Sequence, residues 1–182
     1  MLYVSIDIET LGLNPETCDV IEFGAIVDDM KSPISELPRY HVYLTKPKDL
    51  YCGEPFAMSM HPKILRRIAD RTPGYNYIPH DMLGSNFSEW LEQYPVPDKL
   101  TVAGKNFMSF DMRFLRRLPY FETWVKISHR HIDPCMLYAL PDDIELPNTK
   151  TCLERAGINK EVEHTAVEDA LDVVRLIRNK WM

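Results

Sequence analysis

The stretch from Met1 to Leu13 constrains this chain more than any other. Leu2, Val4, Ile6 and Ile8 alternate with Tyr3, Ser5, Asp7 and Glu9, the two-residue period of a β-strand. Successive side chains of a strand point to opposite faces, so Asp7 and Glu9 emerge together while Ile6 and Ile8 turn into packing. Thr10, Leu11 and Gly12 break the alternation and end the strand. Two adjacent carboxylates repel, and each raises the other's pKa unless a cation lies between them. Hard divalent ions such as Mg²⁺ take oxygen ligands of this kind. An isolated Asp-x-Glu also fits a solvated strand face. The reading therefore turns on whether the chain brings further carboxylates and a base.

Length and charge narrow the alternatives. At 182 residues the chain fits a single domain, 1–182, with a sizeable core, and 45% hydrophobic with 26% charged residues is ordinary for a globular protein. No apolar run reaches the length of a membrane span, and the N-terminus enters a strand without a basic region. These features predict no signal peptide and a cytoplasmic location. Cys18, Cys52, Cys135 and Cys152 lack metal-site spacing and read as reduced, mostly buried thiols. A net charge of −6 argues against coating long nucleic acid by phosphate neutralisation. It leaves room for an enzyme that grips a few nucleotides through bound metal ions.

Further strands are expected over Val20–Val27 and Arg39–Leu44, joined to the first by short connections as an antiparallel meander. Residues 45–100 are harder to read. Pro62 suits the first turn of a helix running to Asp70, with Ile64, Leu65 and Ile68 inward and Lys63, Arg67 and Arg71 in a basic row. That row fits phosphate contact or simple solvation. Pro73-Gly74 and Pro79 mark loops, and Asn86 or Ser88 starts a helix carrying Phe87, Trp90 and Leu91. Leu100–Ala103 and Val125–Ile132 are the last strands. Helical spacing runs over Phe107–Leu118, Cys135–Ala139 behind the Asp133-Pro134 cap, and Thr151–Ala156.

The last helix carries a sharp local pattern. Thr165-Ala166-Val167-Glu168 has the form of a capping box, with Val167, Ala170, Leu171, Val174, Ile177 and Trp181 as its buried stripe. His164 lies just outside the cap, where non-helical backbone lets it turn toward Asp169; two fully helical positions five apart would diverge by about 140°. Asp169 equally suits the helix dipole, and His164 an exposed loop. Upstream, Asp111 stands among apolar helical positions. A buried carboxylate there demands a cation or several donors, an arginine being the plain structural alternative.

Asp7-x-Glu9 at a strand end, Asp111 ahead of Phe114-Leu115, and His164-x₄-Asp169 together resemble the DEDDh 3′–5′ exonucleases, the DnaQ-like group, over nearly the whole chain. Chain length, the Asn106-to-Asp111 spacing and Arg130-x-x-Asp133 are similar to the oligoribonuclease branch. The resemblance implies an α/β, RNase H-like fold: a mixed five-stranded sheet, first three strands antiparallel, flanked by helices. It implies that Asp7, Glu9, Asp111 and Asp169 hold two Mg²⁺ or Mn²⁺ ions, with His164 as general base. The partners implied are 3′ ends of single-stranded or short nucleic acid, and a homodimer is compatible. Leu11, Phe107 and Phe110 are candidates to stack on bases, with core packing as the alternative, and Thr10, Lys105 and Asn106 to contact the nucleotide. Asp133 reads as a helix cap, and Arg130 as support for site or fold. Two other functions compete: a non-catalytic domain that binds nucleic acid or a polymerase on the same fold, and an RNase H-type endonuclease. The intact carboxylate set speaks against the first and His164 against the second.

Overall fold

The computed structural model describes residues 1–160 and 165–182. Its elements run β1 (Tyr3–Thr10), β2 (Val20–Asp28), β3 (Arg39–Thr45), α1 (Pro55–Met60), α2 (Pro62–Asp70), β4 (Tyr77–Pro79), α3 (Leu83–Leu91), β5 (Leu100–Ala103), α4 (Asp111–Leu115), α5 (Phe121–Trp124), β6 (Ile127–Ile132), α6 (Pro134–Tyr138), α7 (Thr149–Arg155) and α8 (Ala166–Trp181). One mixed sheet has the order β4-β3-β2-β1-β5-β6. The β1–β2 and β2–β3 pairs are antiparallel, as the meander predicts, while β4, β5 and β6 join in parallel. The fold is the expected RNase H-like α/β architecture with six strands rather than five. The sixth, β4, lies where Pro79 reads as a loop. It is only three residues long and sits at the sheet edge, where a missing N–H disrupts no ladder.

The alternation of β1 separates the two faces of the sheet. Val4, Ile6 and Ile8 pack with Phe23, Val42, Phe87, Phe114 and Phe121 in the larger core, under α3, α4 and α5. Tyr3 meets Ala170, Leu171, Val174 and Ile177 of α8 on the opposite face. The Ser5 hydroxyl donates to the Ala170 carbonyl at 2.8 Å, so the polar side of the first strand lies under α8. Gly24 of β2 makes the close approach possible there. A Cβ at this position would come within 2.3 Å of the Val167 nitrogen and 2.4 Å of the Ala166 carbonyl carbon.

Several local expectations change in three dimensions. The helix expected from Asn86 or Ser88 starts at Leu83. The helical run from Phe107 is interrupted: Asn106 has φ 54°, turns follow, and α4 begins only at Asp111. Thr165 is the N-cap of α8, yet its side chain makes no cap bond. Glu168 is drawn instead to Lys160 at 3.1 Å and Arg39 at 3.6 Å, so no capping box forms. Trp181 is exposed at the helix end, whereas Val173 and Leu176 are buried. The basic row is not a free face either. Arg67 donates to the Tyr43 hydroxyl and lies over the Tyr75 ring, while Arg71 pairs with Asp49. No helix among the described residues is long and apolar enough to cross a membrane.

Candidate active site

Three elements deliver carboxylates to one cavity of about 670 Å³. Asp7 and Glu9 come from the end of β1, Asp111 from the start of α4, and Asp169 from the first turn of α8. One oxygen each from Asp7, Glu9 and Asp169 lie within 4.8 Å of one another. Asp111 enters beside this group, its Oδ1 accepting the Ile8 amide at 3.3 Å. The amide is available because β5 pairs with β1 only at Val4 and Ser5. Beyond that, Gly104 carries the chain past Ile6, where a Cβ would lie 2.8 Å from the Ile6 carbonyl oxygen. Asp111 therefore finds a backbone donor, and no arginine bonds to it among the described residues.

The electrostatics follow from this packing. Burial, then the charges of Asp111, Asp169 and Glu9, push Asp7 well above the usual carboxylate range. Burial with Asp169, Glu22 and Asp111 raises Glu9 to about 9. Asp111 rises to about 7 through burial, against the pull of the Ile8 amide. Asp169 also rises to about 7, through burial and Asp172, with Lys160 pulling the other way. Asp169 Oδ1 is buried without a hydrogen-bond partner among the described residues. Crowded oxygen donors, mutual repulsion and an unsatisfied buried oxygen are what a hard divalent cation resolves. These residues fit such an ion.

Other predicted residues divide clearly. Lys105, Asn106 and Phe110 line the cavity, Phe110 with its ring half-buried. Asn106 reaches it through its left-handed turn, whose amide donates to Asp133 Oδ2 at 2.9 Å, while Asp133 Oδ1 caps α6 at the Cys135 amide. Asp133 is thus a cap and a brace for the site. Leu11 and Phe107 are fully buried in the apolar cores, so neither offers a face to a base. The Thr10 hydroxyl donates to the Gly12 carbonyl within the turn. Arg130 is exposed on β6 and does not line the cavity. His164 lies outside the described residues.

Sequence reasoning missed four neighbours of the cavity carboxylates. Asn148, Thr149 and Lys150 form another part of the cavity wall. The Asn148 side chain accepts the Thr151 amide, an N-cap signal one turn ahead of the expected helix that would have found them. His61, between α1 and α2, places Nε2 3.6 Å from Glu9 Oε2. No local pattern around His61 announces this, because only the tertiary fold brings the α1–α2 junction to the end of β1.

No protein-family model and no curated protein matches the chain. Solved structures do. E. coli exonuclease I in complex with a dT13 oligonucleotide matches with a TM-score of 0.66 and 18% identity, over 97% of this chain and 40% of that one. A moderately thermophilic exonuclease I from Methylocaldum szegediense matches with a TM-score of 0.64 and 20% identity, over 98% and 40%. A further exonuclease I structure gives 0.67 and 19%, over 98% and 41%. The chain spans about two fifths of the length of these proteins. At such identities the likeness is one of architecture: from end to end, this chain has the fold found in part of exonuclease I.

Proposed function

We propose that this chain is a metal-dependent 3′–5′ exonuclease, removing nucleotides one at a time from single-stranded or short nucleic acid and releasing nucleoside 5′-monophosphates. The observation that carries this reading is the convergence of Asp7, Glu9 and Asp169 oxygens within 4.8 Å, with Asp111 in the same cavity. Asp7, Glu9, Asp111 and Asp169 would hold two divalent cations, Mg²⁺ or Mn²⁺, which when bound supply a nucleophilic water near neutral pH and stabilise the departing 3′ oxygen. The chain's own groups do the rest. Lys105 and Lys150 border the acidic cavity and offer ammonium groups to substrate phosphates. Asn106 offers an amide to ribose or phosphate. Phe110 offers a ring to the terminal base, a contact that tolerates any sequence. His164 takes the proton of the attacking water, since an imidazole with an unperturbed pKa near 6.5 is largely neutral at pH 7. Its role rests on its spacing from Asp169. The dT13 oligonucleotide of the E. coli exonuclease I complex is a single strand, the form of substrate assigned here.

The test uses 5′-labelled RNA and DNA oligonucleotides of graded length, with Mg²⁺ or Mn²⁺ and with EDTA. A stepwise ladder that EDTA abolishes is expected, together with survival of a circular single strand. Cleavage of the circle would make the enzyme an endonuclease. No shortening with either metal would remove the nuclease assignment.

A further inference from the structure

A fifth carboxylate lies behind the cavity. Glu22 of β2 is fully buried, directly across the ladder from Glu9. Like charges facing each other across strands are unfavourable, and a buried carboxylate without partners more so. Both Glu22 oxygens are engaged. Oε1 meets His41 Nε2 at 2.5 Å from the neighbouring strand, and Oε2 accepts the Ala166 amide at 3.2 Å. Ala166 is the first residue of α8, whose opening amides lack intrahelical acceptors. Thr165 makes no side-chain cap bond, so β2 supplies one from outside the helix. Asp169 projects from that same turn, three residues on, its own amide bonded to the Thr165 carbonyl. Gly24, two residues along β2, lets the turn lie flat against the strand.

We infer that Glu22, braced by His41, is a positioning residue that sets the first turn of α8 and thereby the placing of Asp169 against Asp7 and Glu9. Glu22 is not among the converging oxygens and does not line the cavity; its two oxygens turn to His41 and Ala166 instead. An apolar residue would fill the same buried site without desolvating a charge, but it would leave the Ala166 amide without its acceptor. The inference rests on the proposed metal-dependent reading of the cavity.

The experiment compares wild type with Glu22→Met, Glu22→Gln and His41→Gln. It measures Mn²⁺ affinity by electron paramagnetic resonance, and kcat, KM and Mg²⁺ half-saturation on a labelled oligonucleotide. Glu22→Met removes the acceptor and should weaken Mn²⁺ binding on the order of ten- to a hundredfold, the usual size for a group supporting a metal ligand. The fall should appear in kcat and Mg²⁺ half-saturation, with oligonucleotide KM nearly unchanged. Glu22→Gln keeps an acceptor for Ala166 and should restore most of the affinity. His41→Gln should act in the same direction as Glu22→Met at smaller size, and it provides the test if Glu22→Met does not fold. Folded variants with unchanged Mn²⁺ affinity would overturn the positioning role, as would Gln behaving like Met. Wild type that binds Mn²⁺ in either case keeps the cavity reading intact. Wild type that neither binds Mn²⁺ nor shortens an oligonucleotide overturns both.

Discussion

At its C-terminal end α8 brings Arg178 to Asp28, and at its N-terminal end it brings Asp169 to Asp7 and Glu9; the two acidic clusters, on one face of the same strands, are balanced in opposite ways. Asp28 is fully buried, yet it accepts from the Tyr3 hydroxyl at 2.6 Å, from Arg178 Nε at 3.0 Å and Nη2 at 2.5 Å, and from the Met30 amide at 2.7 Å. Burial alone would raise its pKa, but these donors hold it below the usual carboxylate range. The other end has more carboxylates and fewer donors, and there the same burial raises Asp7, Glu9, Asp111 and Asp169. One end is closed with protein groups and serves the fold. The other end is left short of protein donors, the arrangement from which the proposed metal-dependent function is read. Burial alone does not separate the two clusters; the supply of donors does.

The largest expected effect comes from the open end. Asp7→Asn should reduce metal-dependent hydrolysis by about a thousandfold or more, since bound metal contributes several kcal/mol to the transition state. Its melting temperature in EDTA should be equal to or above that of wild type, because a repulsive charge is gone. A variant that melts lower in EDTA would show that Asp7 holds the fold together. Arg178→Ala should do the reverse. Leaving Asp28 buried and uncompensated should destabilise by about 3–5 kcal/mol in urea unfolding, with little change in turnover per folded molecule.

A smaller effect separates the two ends by pH. A carboxylate raised in the folded state contributes stability that is complete below its unfolded pKa, about 4, and is lost as pH climbs through the folded value. For Asp111 and Asp169 that loss begins above about pH 4 and is complete near 7, and for Glu9 near 9. Asp28, lowered in the fold, contributes above about pH 4 and loses its effect as pH falls. In EDTA the melting temperature should therefore drop by several degrees between pH 5 and 9, and saturating Mg²⁺ should flatten the slope. A melting curve indifferent to Mg²⁺ across that range would mean that the carboxylates do not share a cation. Smallest of all is Thr165→Ala, expected within about 0.5 kcal/mol. A bonded N-cap would cost about 1 kcal/mol, so a loss of that size would restore Thr165 as the cap of α8.

Much of the site was legible because its evidence was local. The period of β1 places Asp7 and Glu9 on one face, and the Ser5 bond to Ala170 confirms which face that is. Asp111 was legible as a carboxylate among apolar neighbours. Leu11 and Phe107 misled for the same reason that Phe110 did not. All three are apolar residues near a motif, but the first two are closed over by Gly53 and the Ile6–Gly104 crossing, whereas Phe110 borders the cavity. The Thr165 and Glu168 pair has the spacing of a capping box. In the fold Glu168 meets Lys160 and Arg39, and the opening amide of α8 finds Glu22. Side chains choose among all the partners that the tertiary structure presents.

The sequence by itself determined the strand that carries Asp7 and Glu9, the antiparallel meander, the long final helix and the identity of four acidic residues, because periodicity and capping act over a few residues. Only the tertiary structure decided that α8 lies along β2 through Gly24, that Glu22 and His41 stand behind the site, and that His61 and Lys150 reach it. Those facts depend on contacts between segments as much as 144 residues apart, where local pattern carries no information and close packing selects the neighbour.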